Sequence, residues 1–471
     1  LKGENPGGNT SPLQAARMEL TVLINAKSNT LDSFQDYAKI QAGLTSAYGT
    51  AETVNNNTNA SIDQLKAASA DLKNAINRAN DAKTKFDTDH PELVSAYNDL
   101  RSTLNQQSAT LAGLADPNYE AIKTNLVSLY NDATTLIAKT LDPITDTALL
   151  DADSIKAAND KISNSLTTLD EQKANADGLA NSFVKQTLQS EADNFIGGSE
   201  TMTNVQPPNY SFVGYSVDPG TVNYNYAKRM VWNGESESSS VVNNSATLTD
   251  VSWVYNLAEG GDHKYKLTFN SFGTSKIGFL YFPYKIVKNV QSAQYGLQYK
   301  LNDGTVQPIE FMTGPTGNET AIVNNLIPTL ADINVAKAML TDIKFGQNTL
   351  EFSVPENIKG PMIGNMYITT LDINANKIYD DIFGNTLSRD GNTTAVTVNL
   401  TKGYNLAADR STLVRQLTGL TGNGVSATTP YYLVGFIGGS DTRSVPTNTN
   451  NQSTPSSNNE SRTLTIYINA P

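Results

Sequence analysis

The 471-residue sequence predicts a multidomain chain, with antiparallel helical bundles first and a jelly-roll-like β-sandwich second. Three observations carry that expectation. The apolar residues recur at helical spacing from Leu13 to about Ala192, and at a period of two from Asn204 onward. The composition changes at the same place: residues 1–195 hold 7 of the 32 Gly, 5 of the 18 Pro and neither Trp. The charge divides with it, 16 basic against 25 acidic residues up to 195, and 18 against 21 afterwards. A shift of this kind marks a change of fold.

Residues 1–12, LKGENPGGNTSP, read as a flexible Pro/Gly linker. The chain opens without Met, so it is read as a mature or trimmed form whose signal peptide has been left out. Residues 13–196 read as helical bundle repeats. Leu65, Ala68, Leu72, Ala75, Ile76 and Ala79 fall on one helix face, and Lys66, Asp71, Lys73, Asn77 and Asn80 on the other. Asp116-Pro117 and Asp142-Pro143 read as helix starts, with Asp as N-cap and Pro at the first helical position. His90-Pro91 reads as a third. About six helices are expected.

The helical part repeats. A shift of 90 places Leu65 on Ile155, Leu72 on Ile162 and Ile76 on Leu166. A shift of 80 places Ala16 on Ala96 and Leu20 on Leu100. Two three-helix units, about 13–87 and 91–177, with an insertion in the second, account for both offsets. The segment SIDQLKAASADLKNAI resembles the small helical repeats of bacterial surface adhesins.

Residues 204–375 read as the sandwich. Tyr265, Leu267 and Phe269 alternate with polar residues, as do Leu350, Phe352 and Val354, and as do Ile277, Phe279 and Tyr281. INVAKAML reads as a strand. Turns are expected at Gly260-Gly261, Asp303-Gly304 and Pro315-Thr316-Gly317. Residues 376–471 read as a β-rich C-terminal segment, either a further domain or strands added to what precedes it. YYLVGFIGG and RTLTIYINA are its strands, and the polar run near 446–460 is expected to be disordered.

Composition excludes several chemistries. There is no Cys, so disulfides, thiolate zinc sites, Fe–S clusters and Cys nucleophiles are ruled out. His90 and His263 are the only histidines, which removes multi-His metal sites. A net charge of −12 argues against nucleic-acid binding. No apolar run is long enough to span a bilayer. The balance favours binding over catalysis, and no enzyme activity is expected.

Four residues are candidates for a ligand site: Tyr224, Tyr226, Arg229 and Trp232. Aromatic rings stack on the apolar faces of sugars, and Arg229, the only Arg in residues 200–388, could hold a carboxylate through two parallel N–H bonds. Trp253, in the alternating run VSWVYNL, is expected in the core. Asp372-Ile-Asn374-Ala-Asn376 starts like an EF-hand loop, but Lys377 stands where Gly is needed and Phe383 where Glu is needed. A different Ca²⁺ site on such a loop stays open. Gly422-Asn423-Gly424 lacks the rest of a dinucleotide fingerprint and reads as a turn.

Several consecutive segments resemble the mycoplasma variable lipoprotein haemagglutinins (VlhA, also called pMGA). They are SFVGYSVDPGTVNYNYAKRMVWNGES, TDVSWVYNLA, KYKLTFNSFG, GFLYFPYKIVK, YGLQYKLNDG, DINVAKAML, FGQNTLEFSVP and PMIGNMYITTLD, in order over about residues 211–372. The helical half, the NPGG linker and the ending RTLTIYINAP are similar to the same family. The resemblance implies a surface adhesin on the outer face of a mycoplasma membrane, held by a lipidated Cys that this sequence lacks. It implies haemagglutination, host-cell attachment, sialylated host glycoproteins as receptors, recognition by host antibodies, and phase-variable expression. The sandwich resembles the jelly-roll folds of carbohydrate-binding modules. An antigenic coat protein without a ligand, or a binder of a host protein receptor, are the alternatives.

Overall fold

The computed structural model describes residues 11–145, 148–197, 225–229, 251–257, 263–290, 293–312, 325–400, 402–407, 411–417, 419–428, 431–437 and 464–469. The chain forms two compact units, one up to Asp170 and one from Glu171.

The first unit is helical: α1 (Pro12–Asn25), α2 (Lys27–Asp32), α3 (Ala38–Asn56), α4 (Ile62–Asp89), α5 (Pro91–Asn105), α6 (Gln107–Ala112), α7 (Glu120–Ile137) and α8 (Ala152–Thr167). With α9 (Leu169–Asn181), which crosses the boundary, nine helices precede the strands among the described residues, more than the six expected. The extra ones are the short α2 and α6 and the break at Thr168, which the apolar period runs through. Ser11 and Ser61 each close a capping box, with Gln14 and Gln64, so α1 begins inside the expected linker.

Both repeats have the same core. Leu20 and Leu100, Phe34 and Leu114, Leu44 and Leu126, Tyr48 and Tyr130, Ala51 and Ala133, Leu65 and Ile155, and Leu72 and Ile162 are all buried at equivalent positions. The offset grows from 80 to 82 before α7 and reaches 90 before α8, so most of the insertion lies in residues 138–151. Asp142-Pro143 therefore starts no helix. Its segment runs against the first repeat, where Lys39 N donates to Asp142 O at 2.9 Å and Leu141 N to Asp36 O at 2.8 Å. Asp151 is the residue that caps α8, through Ser154 N. The same shallow groove recurs between α3 and α4 and between α7 and α8, floored by Ala67-Ala68 and by Ala157-Ala158.

The second unit holds β1 (Val184–Gln186), β2 (Phe195–Ile196), β3 (Tyr226–Lys228), β4 (Ser252–Val254), β5 (Lys264–Ser271), β6 (Gly278–Lys285), β7 (Leu297–Leu301), β8 (Gln307–Ile309), β9 (Phe311–Met312), β10 (Asn325–Leu326), β11 (Asn334–Leu340), β12 (Gly346–Ser353), β13 (Met362–Gly364) and β14 (Met366–Thr369). After these come α10 (Ala375–Phe383), β15 (Asn385–Asp390), β16 (Thr393–Val398), β17 (Leu406–Ala407), β18 (Ser411–Leu417), β19 (Tyr431–Ile437) and β20 (Leu464–Thr465).

Two antiparallel sheets face each other. One runs β2-β5-β12-β7-β8. In the other, β6 pairs β11 on one side and the broken strand β13–β14 on the other, with β4 and β3 beyond β13 and β1 beyond β14. Leu267, Phe269, Leu350 and Phe352 of the first sheet meet Leu280, Phe282, Ala336 and Ile368 of the second in one core. The Phe282 and Phe352 rings lie edge to face at 5.9 Å.

The strand patterns explain the layering. β5 and β12 alternate buried positions with half-buried or exposed ones, because their outer face meets solvent. β6, GFLYFPYK, is buried at almost every position, because its outer face is covered too. That cover is a third layer of α10, Tyr404, Leu406 and Tyr467 over Trp253, Tyr281, Met362 and Tyr367. Described parts of the C-terminal segment are thus added to the sandwich. The helix α10 was not anticipated: it is short, although Ile378, Ile382 and Phe383 share its buried face. INVAKAML forms β11, and Trp253 is in the core, edge to face with Tyr404 at 4.7 Å. The turns at Gly260-Gly261 and Pro315-Thr316-Gly317 and the run 446–460 lie outside the described residues.

Candidate binding cleft and the predicted site residues

Arg229 follows β3 and is 1% exposed. Its Nη1 donates to Leu400 O at 2.9 Å and its Nη2 to Gly403 O at 2.8 Å. The guanidinium is thus turned onto the chain's own carbonyls and ties Leu400 and Gly403 to the sandwich. Tyr226 is buried on β3, with its hydroxyl donating to Leu188 O at 3.2 Å. Burial pushes that phenol up to about 12. Tyr224 and Trp232 lie outside the described residues. The described pair therefore belongs to the sandwich interior. The Asp372–Asn376 stretch forms a 3₁₀ turn leading into α10, and Asp372 pairs with Lys337 at 2.8 Å and accepts from the Tyr281 hydroxyl. Among the described residues no group of three or more acidic or His side chains gathers as a metal site.

The sandwich carries a polar cleft elsewhere, at the end where the β7–β8 turn meets the β11–β12 loop. Its volume is about 260 Å³, and Tyr299, Asn302, Asp303, Gln307, Asp342 and Lys344 are among its lining residues. That is smaller than the roughly 300–1,000 Å³ of sites enclosing drug-sized ligands, and suits a small polar group such as one sugar ring.

Two tight turns build it. Asn302 and Asp342 both take positive φ, 51° and 64°, which Asn and Asp tolerate better than other side chains. Gly304 closes the first turn, its N–H donating to Leu301 O at 2.9 Å. The buried Asn348 ties the turns together. Its Oδ1 accepts from Asn302 Nδ2 at 2.9 Å and Lys344 N at 2.8 Å, and its Nδ2 donates to Lys344 O at 2.8 Å. Asn302 also exchanges bonds with the Thr349 backbone, through its own N–H at 2.8 Å and its Oδ1 at 2.9 Å. The cleft is therefore preorganised by Asn348, which does not line it, and by Asn302, which does.

The groups left facing outward differ in character. Asp303 and Lys344 are exposed and stand 3.6 Å apart, a loose surface pair that a ligand could replace at little cost. Tyr299 is nearly buried and donates to Met339 O at 2.7 Å, and burial raises its phenol. Phe345, beside Lys344, is 40% exposed and rests edge to face on Phe272 at 5.2 Å. Carboxylate acceptors, an ammonium donor and a nearby aromatic face suit a hydroxyl-rich ligand. The sequence signalled only the Asp303-Gly304 turn, because the cleft forms from turns some forty residues apart.

Comparison with known proteins adds two families. The model of the family described as Mycoplasma haemagglutinin matches residues 183–324 and 315–471, and that of the FIVAR domain matches residues 16–80 and 96–170. None of the curated proteins matches. Among solved structures, the chain is similar to a family 35 carbohydrate-binding module from Clostridium thermocellum, at 17% identity over 31% of this chain and 90% of that one, with a TM-score of 0.20. A family 35 module of Cellvibrio japonicus Abf62 matches at 12% identity over 37% and 91% of the two chains, TM-score 0.19. The exo-β-1,3-galactanase of Phanerochaete chrysosporium, crystallised with β-1,3-galactotriose, matches at 10% over 40% and 29%, TM-score 0.20. Likeness at this level carries no statement about shared sites.

Proposed function

The chain belongs to the mycoplasma haemagglutinin family, and on that premise we propose that it is a surface adhesin that attaches the cell to host glycoproteins. The family match over more than half of the chain is the observation that carries this reading. The finer reading is a variable lipoprotein haemagglutinin of the VlhA type. It is anchored by a lipid outside this sequence, bound to sialylated receptors, met by host antibodies and varied antigenically. It binds without turnover. The first unit acts as a spacer and the second presents the contact. No helix among the described residues is long and apolar enough to cross a membrane.

Within the second unit, the cleft at Asp303, Asp342 and Lys344 is the contact we favour. One shallow site of this size binds weakly, and many copies on one membrane convert weak contacts into firm attachment. A chain at −12 is repelled by a sialylated surface, but screening limits that to about 8 Å in physiological salt. Lys344 is the cationic group of the cleft that could meet a carboxylate, once it leaves Asp303.

The test is binding of the protein to red cells with and without sialidase treatment, using wild type, Asp342→Ala, Lys344→Ala and Arg229→Ala. The expected result is binding that sialidase abolishes and that either cleft variant weakens about tenfold, or 1.4 kcal/mol. Arg229→Ala should lower stability rather than act selectively on binding. Binding that survives sialidase would indicate a protein or lipid receptor. Unchanged binding by both cleft variants would remove the cleft from the proposal. No binding at high display density would leave the antigenic-coat reading.

A further inference from the structure

Among the described residues, the hairpin of β15 and β16 joins neither sheet of the sandwich. β15 and β16 form a hairpin registered from Asn385 opposite Val398 to Asp390 opposite Thr393, closed by Gly391-Asn392 with Gly391 at φ 56°. Every residue from Thr386 to Ala395 is exposed. The base is fixed. Gly384 ends α10 at φ 66°, and Gly403 lies so close that a Cβ there would sit 2.2 Å from Phe383 O. Asn385 Nδ2 donates to Phe383 O at 2.9 Å and Tyr467 O at 3.0 Å, and its Oδ1 accepts from Asn469 N at 3.0 Å. The hairpin is a rooted finger.

One bond sets the direction of its free edge. Asn399 N donates to Gly384 O at 2.7 Å, so 384 and 399 form a hydrogen-bonded pair. Such pairs alternate along an antiparallel ladder, so 386/397, 388/395 and 390/393 are bonded inside the hairpin. The N–H and C=O groups of Thr394, Val396 and Val398 then point away from β15. Among the described residues no strand pairs with that edge.

Exposed edges are normally blunted by charge, Pro or a bulge. β16, TTAVTV, has no charge and no Pro, and all but Ala395 are β-branched. A two-stranded hairpin in water is marginal alone, so a third strand would stabilise it. We propose that β16 is a homophilic docking strand, through which two copies of this chain pair antiparallel, edge to edge, about a twofold axis at Val396.

A second copy is the favoured occupant because β16 is complementary to itself. Pairing centred on Val396 sets Thr394 opposite Val398 and Ala395 opposite Thr397, and no like charges meet. Copies at −12 repel one another, and an uncharged strand is where they can approach most easily. Leu387, across from Val396 in the hairpin, extends the joined face into an apolar strip of Leu387, Val396 and their symmetry mates. Paired copies would present two contact units together on a membrane.

The experiment is sedimentation equilibrium of the full chain from micromolar to submillimolar concentration. The wild type should show a concentration-dependent dimer. Val396→Lys and Val396→Glu place like charges directly opposite, so each alone should dimerise about tenfold more weakly. An equimolar mixture of the two should recover association, which a contact elsewhere would not produce. Val396→Pro removes an N–H used only by the outer ladder and should also give monomer, with unchanged tryptophan fluorescence showing an intact sandwich. Amide exchange should slow with concentration at Thr394, Val396 and Val398. A wild type that stays monomeric throughout, or charge variants that associate as the wild type does, would overturn the proposal.

Discussion

Lys285, the last residue of β6, gives the β unit a pH dependence that runs opposite to the usual one. Its side chain is 1% exposed on the covered face of the sheet, and its Nζ donates to Ile286 O at 2.5 Å. Burial penalises the charged form and pulls the amine down from 10.5 to about 7. In the unfolded chain the same amine keeps its ordinary value. Between about pH 7 and 10 the unfolded state therefore binds a proton that the folded state does not, and stability rises with pH across that window. At pH 7 and below the full cost is present, about 5 kcal/mol for the whole shift, as an upper bound. Above pH 10 the sign reverses. Burial raises Tyr226 to about 12 and lifts Tyr265, Tyr281 and Tyr284 further, so the unfolded state loses phenol protons first and stability falls. The β unit should be most stable near pH 9–10. Both Trp lie after residue 195, so guanidinium unfolding followed by tryptophan fluorescence reports this unit alone. Lys285→Met should stabilise at pH 7 by about 2–4 kcal/mol, allowing for relaxation, and should flatten the rise from pH 7 to 9. A variant with the wild-type slope, or a wild type that loses stability from pH 7 to 9, would overturn this account of Lys285.

Two further substitutions test the packing. A Cβ on Gly364 would stand 2.5 Å from Pro283 Cγ and 2.8 Å from the Tyr404 hydroxyl, which bonds Ser252 O at 2.7 Å and Asn365 N at 2.8 Å. Gly364→Ala should therefore cost about 3 kcal/mol in the same fluorescence assay, and a smaller further loss when Tyr404→Ala is already present. In the helical unit, the Tyr48 and Tyr130 hydroxyls are buried at equivalent repeat positions with no hydrogen-bond partner among the described residues. Tyr48→Phe and Tyr130→Phe should each stabilise by about 1 kcal/mol, read as a higher thermal midpoint in far-ultraviolet circular dichroism.

The parts of the fold legible in the sequence are those whose cause is local. Leu65, Ala68 and Leu72 bury one face of α4 wherever that face ends up, so both the helix and its repeat can be read from spacing alone. The alternation in Tyr265, Leu267 and Phe269 likewise shows a sheet with one wet face. Asp142-Pro143 misleads because the local signal is sound, yet the insertion carries it onto the first repeat and leaves capping to Asp151. In α10, nine residues are too few for a period to stand out, and the helix forms because the outer face of β6 needs covering.

Binding residues are harder to read for a reason that Arg229 illustrates. The planar fork that suits a carboxylate suits two backbone carbonyls equally well. Loops that cross a sandwich leave such carbonyls without strand partners, and burying them unpaired is costly. A single Arg at the end of a core strand can satisfy two at once, and Leu400 and Gly403 take up this one from more than 170 residues away. The converse holds at the cleft. Asn302, Asp342 and Lys344 are ordinary turn residues by composition, and only the bonds made by Asn348 turn them into a shaped surface. What decides a site in this unit is which polar groups the loops leave unused, and that depends on contacts far apart in the chain.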